Sequence, residues 1–366
     1  MRILHINCNY MTTALHQTMI EHLDKTGIYS CVFAPVYNAG NAAIKPNENV
    51  IVSECFAKWD RLHFGYKQSK IQTALESSVN VAAFDCIHAY TLFTDGNCAW
   101  EMSKKYGIPF VVAVRNTDMN DFLRLKPWLS GRAVKIMEDA SAIFFLSPRY
   151  MEMMLDKYVP ASKRECIRKK CQVIPNGIDD FWHGNLNTEV KAPEQKKVKL
   201  VYAGRIDKNK NIPTTQAAMK ILREKGYETS LTVVGKVQDE KEFALIKQDP
   251  YTQCLPAMPK EKLIDVYRAA DIFVMPSFAE TFGLVYAEAM SQGLPVLYTE
   301  GQGFDGQFPE GSVGYAVDPN SPEDVAQKIM KVLDTHDQLR MQSLRLVPKF
   351  NWSAIVKDYV AVYSKK

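Results

Sequence analysis

Glu280 and Glu288 stand on either side of a strand-to-helix turn in the run Met275-Pro276-Ser277-Phe278-Ala279-Glu280-Thr281-Phe282-Gly283-Leu284-Val285-Tyr286-Ala287-Glu288-Ala289-Met290. The apolar residues Ile272 to Met275 read as a buried strand stopped by Pro276 and Ser277. The small residues from Thr281 or Gly283 to Gln292 read as a helix ended by Gly293. The amides of Thr281, Phe282, Gly283 and Leu284 then open outward at the helix start, where free N–H groups and the helix dipole favour an anion of phosphate size. Glu280 faces whatever lies beyond that anion. Glu288, flanked by Ala287, Ala289 and Met290, is a carboxylate in an apolar segment that needs donors, and vicinal sugar hydroxyls supply two. The plain alternative is a strand, a turn and a helix with two surface glutamates.

A second segment suits the same chemistry. The apolar run ending at Ala203 leads straight into Gly204-Arg205-Ile206-Asp207-Lys208-Asn209-Lys210-Asn211, before Pro213 opens a helix. Gly204 permits close backbone approach. Arg205 offers a planar fork and Lys210 a point charge, both matched to phosphate oxygens, so a diphosphate is the natural partner. Alone, the segment reads equally as a solvated charged loop.

The elements that must position these residues alternate along the whole chain, short apolar runs with helical patterns, the signature of parallel sheets covered by helices. First-half strands are expected at Arg2–Asn7, Ser30–Ala34, Val50–Ser53, Cys86–Ala89, Phe110–Val114, Ala142–Leu146 and Gln172–Pro175, with helices at Asp60–Asn80, Gly96–Tyr106 and Trp128–Asp139. Residues 183–197 are polar, contain Pro193 and lack apolar periodicity, so they read as a linker. A second series then places strands at Lys199–Ala203, Ser230–Val234, Cys254–Pro256, Ile272–Met275 and Pro295–Tyr298. Its helices are expected at Pro213–Glu224, Glu240–Lys247, Lys260–Arg268, Thr281–Gln292 and Pro322–Leu333. The expectation is an α/β protein of two doubly wound, Rossmann-like domains, residues 1–182 and 198–349, facing across a cleft where ligands bind beyond the carboxyl ends of the strands.

Composition agrees with this. At 366 residues the chain exceeds one ordinary core, and 46% hydrophobic with 23% charged content is that of a globular protein. A net charge of +4 gives a general nucleic-acid role no support. The eight cysteines are scattered without a CxxC pair and read as reduced thiols of a cytoplasmic protein. Met1 to Ile6 reads as a strand rather than a signal peptide, and no run reaches membrane-span length, so any membrane contact is peripheral.

Taken together, the Gly-Arg-x4-Lys loop and the Glu-x7-Glu segment resemble the retaining glycosyltransferases of GT-B fold, family 4 (glycosyl transferases group 1). Asn176-Gly177-Ile178-Asp179 looks like that family's interdomain turn, and Gly293-Leu294-Pro295-Val296 like the strand after its Glu-x7-Glu helix. Phe350-Asn351-Trp352 looks like the start of the terminal helix, 350–366, which in this fold crosses back to the first domain. The likeness covers roughly residues 85 to 366; the first 85 match only as generic α/β.

The resemblance implies sugar transfer from a nucleotide-diphosphate donor to the hydroxyl of a saccharide or lipid-linked saccharide, with retention and with no metal or other cofactor, in bacterial polysaccharide or glycoconjugate assembly. By it, Gly204, Arg205, Lys210, Thr281, Phe282, Gly283 and Leu284 surround the diphosphate, Glu280 holds the donor sugar, Glu288 the ribose, and Met258 borders the base. The charge that develops on the leaving group makes fixed cations and a helix entrance effective there. No Asp-x-Asp occurs in the chain. A sugar-nucleotide 2-epimerase shares the fold without needing an acceptor, a phosphorylase would need a pyridoxal-bearing lysine, and a nucleotide-sugar-binding protein would bind without turnover.

The first domain departs from the family pattern. Asn7-Cys8-Asn9-Tyr10-Met11-Thr12-Thr13 lacks the usual glycine pair, and Arg115 stands where many members have a histidine, followed by Asn116, Thr117 and Asp118. Arg115 is counted with Arg205, Lys210 and Glu280 as catalytic, and Asp118 as an acceptor-side residue. His88 resembles the first histidine of a His-Ala-His segment in which Tyr90 replaces the second; at a strand end it serves equally as a packed structural group. Gly301-Gln302-Gly303-Phe304-Asp305-Gly306 is a literal GxGxxG, but Pro309 and Gly311 follow where a dinucleotide motif must open a helix, so a glycine-rich loop lining the cleft, with Gly303 near donor or acceptor, is expected. A basic cluster (Lys157, Lys163, Arg164, Arg168, Lys169, Lys170) offers either a solvated loop or contact with anionic lipid at the inner face of the membrane.

Overall fold

Apolar runs bounded by turn residues become two parallel sheets. The computed structural model describes residues 1–38, 40, 43–189 and 193–365. It divides into two compact units. The first comprises Met1–Leu146, Tyr150–Pro175 and Ile355–Lys366; the second comprises Ser147–Arg149 and Asn176–Ala354.

The first unit contains β1 (Arg2–Ile6), β2 (Tyr29–Val36), β3 (Val50–Glu54), β4 (Cys86–Ala89), β5 (Phe110–Ala113), β6 (Ala142–Phe145) and β7 (Cys171–Val173) in one sheet of order β3-β2-β1-β4-β5-β6-β7. Its pairings are parallel and most of its interior strands are buried along nearly their whole length, as strands covered on both faces by helices must be. Each expected strand forms. The helix expected over Asp60–Asn80 is instead a 3-10 turn, Lys58–Leu62, then a helix, Phe64–Ser78. The break is local chemistry: Asp60 accepts from the Ala57 amide and pairs with Lys70, while His63 leaves helical dihedrals.

The second unit holds β8 (Lys197–Ala203), β9 (Glu228–Gly235), β10 (Thr252–Pro256), β11 (Ile272–Met275), β12 (Val296–Thr299) and β13 (Gly314–Val317), ordered β10-β9-β8-β11-β12-β13. β13 has too little pattern of its own to be seen in sequence. It exists because Gly314 lets the chain pair tightly with Val296, whose carbonyl would lie 1.8 Å from an added Cβ. The family likeness implied an α/β protein with two doubly wound sheets, and that is the fold found.

Of the segment read as a linker, residues 183–184 finish the helix Asp180–Gly184, residue 197 begins β8, and 190–192 lie outside the described residues. Asn187 hydrogen-bonds to Ser291 and Gln292, so this stretch is packed onto the second unit. The last helix, Trp352–Tyr363, changes unit along its length: Trp352 covers Gly177 in the second, while Tyr359 and Tyr363 pack in the first. Residue 366 lies outside the described residues. No helix among the described residues is long and apolar enough to cross a membrane.

Candidate functional site

Each sheet reverses strand order once, between β1 and β4 in the first and between β8 and β11 in the second, and the loops leaving the carboxyl ends of those strands flank the crevice where such sheets hold ligands. In the second unit these loops are the two segments singled out by their chemistry.

β8 runs into Gly204, whose φ of +154° brings its carbonyl so near Gly235 that a Cβ there would lie 1.7 Å from it. Tyr202 donates from its hydroxyl to the Arg205 carbonyl at 2.5 Å, fixing the turn. Asp207 caps the 3-10 turn Lys208–Lys210 by accepting from the Lys210 amide. Asn211 takes a left-handed conformation (φ +54°), which Asn tolerates, and donates to the carbonyls of Pro276 (3.0 Å) and Pro319 (2.7 Å).

The loop after β11 is stitched to this one. Asn209 accepts from the Ala279 amide through Oδ1 and donates to the Ala279 carbonyl through Nδ2, and its own carbonyl accepts from the Phe278 amide. Lys210 and Glu280 meet at 2.6 Å with side chains only 10% and 13% exposed. Arg205 is different: its side chain is 61% exposed and reaches only to 4.0 Å of Asp207. One cation is locked into the scaffold and one projects from it.

The helix begins later than its sequence suggests, at Leu284 and not at Thr281 or Gly283, because Gly283 caps it at φ +76°. Its first-turn amides have no acceptor within the helix. Phe282 is buried and sets its ring 5.7 Å from Phe350, so of this residue only the backbone can serve a ligand. Gly303 closes the far wall: its amide donates to the Glu280 carbonyl (2.9 Å), and a Cβ on it would stand 1.9 Å from the Thr281 carbonyl. Gln302 accepts from the Glu280 amide. The glycine-rich segment is thus a loop that supports Glu280 to Phe282.

Glu288 lies on the helix Leu284–Ser291 in a second, adjoining group of this unit. Burial foremost, then the nearby Asp179, raises its carboxyl to about 7; Lys260 and Tyr267 act the other way. Lys260 pairs with Asp179 at 2.5 Å, and the buried hydroxyl of Tyr267 faces Glu288 without a hydrogen bond of normal geometry. Met258 sits half-buried in the turn between β10 and the helix Lys260–Ala269.

The first-unit residues are held as follows. Asp118 is buried and accepts from the amides of Leu92, Phe93 and Arg115 at 3.0, 3.3 and 2.8 Å, so it ties the loop after β5 to that after β4; burial still raises it to about 6. Arg115 donates from Nε to the Tyr90 carbonyl at 3.1 Å. His88 is fully buried, stacked 4.3 Å from Tyr90 and hydrogen-bonded to Tyr363 at 2.6 Å; burial lowers its pKa well below the usual imidazole range. His88 is a neutral packing group beneath the terminal helix. Asp95, buried by the Cys8 amide and the Thr91 hydroxyl, joins the loops after β1 and β4 and is raised by burial to about 7. Beside these loops lies a cavity of about 650 Å³ whose lining includes Met11, Phe56, Phe64 and Phe122 together with the polar residues Asn9, Lys67, Thr91 and Asp118.

Asn209, Asn211, Gln302, Tyr267 and this cavity escape sequence inspection. The two asparagines carried a signal, since they lie inside the charged loop, but their partners are in other elements. Among the described residues no group of three His, Cys, Asp or Glu side chains is arranged to hold a metal ion.

Comparison with known proteins now fits this geometry. Residues 186–343 match the family described as Glycosyl transferases group 1, and residues 17–180 match Glycosyltransferase Family 4. A D-inositol 3-phosphate glycosyltransferase of Corynebacterium jeikeium is 26% identical over 316 residues, 77% of this chain and 73% of that protein. The namesake enzyme of Nocardia farcinica is 36% identical over 113 residues, 30% of this chain and 25% of that one. Among solved structures, sucrose-phosphate synthase from Thermosynechococcus elongatus superposes with a TM-score of 0.75 at 19% identity, over 99% of this chain and 98% of that one. Anabaena HepE in complex with UDP gives 0.74 at 14% identity over the whole of both chains.

Proposed function

This chain belongs to the glycosyltransferases of group 1 and family 4, with their GT-B fold, and we propose that it transfers a sugar from a UDP-sugar to an acceptor hydroxyl with retention at the anomeric carbon and without a metal. The observation that carries this is the Lys210–Glu280 contact, bolted by Asn209 to the loop that opens the helix Leu284–Ser291. It puts a cation and a carboxylate on the loop that leads into a helix N-terminus.

The roles follow from charge. As the glycosidic bond breaks, negative charge grows on the diphosphate and positive charge on the sugar ring. The Lys210 ammonium, the projecting Arg205 guanidinium and the helix entrance stabilise the first. In this reading Glu280 holds sugar hydroxyls and Glu288 those of the ribose. The two cations supply the positive charge that a divalent ion would otherwise bring, which supports metal independence. UDP is taken from the structural neighbour's ligand, and the acceptor is a saccharide or lipid-linked saccharide.

The test is a donor panel read by NMR, with and without EDTA. Faster consumption of a UDP-sugar when acceptor is added, unaffected by EDTA and giving product of the donor's anomeric configuration, is expected. Donor epimerised without any acceptor would replace this proposal with an epimerase, and binding without turnover would replace it with a carrier.

A further inference from the structure

Asn211 follows Lys210 directly and is buried. Its backbone sits in the left-handed region, where glycine meets no steric cost and asparagine a modest one. What asparagine adds is an amide, and the amide is fully engaged by the fold. Nδ2 donates one hydrogen to the Pro276 carbonyl at 3.0 Å and the other to the Pro319 carbonyl at 2.7 Å. Oδ1 accepts from the Thr214 hydroxyl at 2.8 Å.

These bonds join the ends of three strands. Asn211 closes the loop that leaves β8, Pro276 is the first residue after β11, and Pro319 is the second after β13. β8 and β11 are neighbours in the sheet, but β12 separates β11 from β13, so no backbone ladder joins the end of β13 to the loop after β8. One side-chain amide does so. Asn209 links the first two of these loops through bonds open to solvent, whereas the bond from Asn211 to Pro276 is buried, where water does not compete for it.

Lys210 and Glu280 hang from the loops held in this way. Lys210 precedes Asn211, Glu280 lies on the loop that Pro276 opens, and their charged groups meet at 2.6 Å. The Lys210 ammonium also rests 4.0 Å from the Met275 sulfur, at the end of β11. A long side chain loses rotamer entropy when it is confined, and a rigid backbone beneath it lets that loss fall on folding rather than on binding.

We infer that Asn211 is a positioning residue: its amide ties the loop after β8 to those after β11 and β13, and so holds Lys210 where it meets the diphosphate of the donor before the donor arrives. The identity of that ligand rests on the transferase proposal above; the tie itself does not.

The experiment is a double-mutant cycle on UDP affinity, measured by calorimetry on the full chain as wild type, Asn211→Gly, Lys210→Ala and the two combined. Glycine keeps the left-handed backbone and removes only the amide. Asn211→Gly is expected to weaken UDP binding by about tenfold, and by about twofold or less when Lys210 is already alanine, since nothing is left to position. A merely structural role would lower the melting temperature and leave the UDP affinity of the folded protein unchanged. Asn211→Gly that binds UDP as wild type does, or that loses the same factor in both backgrounds, overturns the positioning role. Thr214→Val, which removes the hydroxyl that orients Oδ1, should weaken UDP by about threefold with the same dependence on Lys210, and it decides the question if circular dichroism shows Asn211→Gly to be unfolded. Wild type that binds UDP but consumes no UDP-sugar removes the transferase proposal and leaves the cycle readable; wild type that binds no UDP removes both.

Discussion

Both units carry ionisable residues near the strands where each sheet reverses order, yet hold them differently. In the first, Asp95 and Asp118 are buried and accept amides and a hydroxyl of their own unit, and His88 is packed among tyrosines. In the second, Lys210 and Glu280 are paired, Arg205 projects into solvent, and Glu288 sits beside Tyr267 with its carboxyl raised by burial. A polar group whose partners all lie within the fold is part of the fold. One whose hydrogen-bonding capacity is left over is available to a ligand.

Substitutions sharpen that contrast. The largest effect is expected from Lys210→Ala, which removes a cation from the developing charge and leaves Glu280 without its ion-pair partner. kcat/KM for donor consumption should fall by about a hundredfold or more. Combining it with Glu280→Gln should cost less than the sum of the two, since the residues act as a pair. A strictly additive double mutant would break the claim that they share one site.

Arg205→Ala should lower kcat/KM by roughly ten- to a hundredfold with little change in stability, because the side chain touches little of the protein. Arg205→Lys should recover only part, having lost the fork. In the first unit the reverse holds. Asp118→Ala strands the buried amides of Leu92 and Phe93 and the half-buried one of Arg115, and should destabilise the chain by about 3 kcal/mol in urea unfolding. Loss of turnover without loss of stability would contradict its place among the structural groups.

The smallest effect is a pH dependence. Glu288 is raised to about 7 in the folded chain, above the ordinary glutamate value, so the native state binds that proton more tightly than the unfolded one. Its contribution to stability is complete below the unfolded pKa and is lost as pH rises toward about 7, and Glu288→Gln should flatten the profile. Donor binding runs the other way, because ribose hydroxyls donate to the ionised carboxylate. Affinity measured by calorimetry should rise by about tenfold from about pH 6 to about pH 8, and not in Glu288→Gln.

Much of this was legible in the chain. Every expected strand formed, because Val-, Ile- and Phe-rich runs between turn residues have few other ways to be buried. The ends of elements were less so. Thr281 to Gly283 looked helical by spacing, but a left-handed Gly283 keeps them in a loop, and that choice depends on Gly303 and Gln302 packing behind them.

By itself the sequence determined the alternation of strand and helix, and the residue types of the two charged segments, because these are properties of neighbours along the chain. That Lys210 would meet Glu280, 70 residues away, was decided only by tertiary structure. So was the fate of His88, Asp118 and Asp95, which look as available as any catalytic residue until the elements around them close. A side chain's chemistry is written in its type, but whether water, backbone or ligand answers it depends on groups that only folding brings within hydrogen-bonding distance.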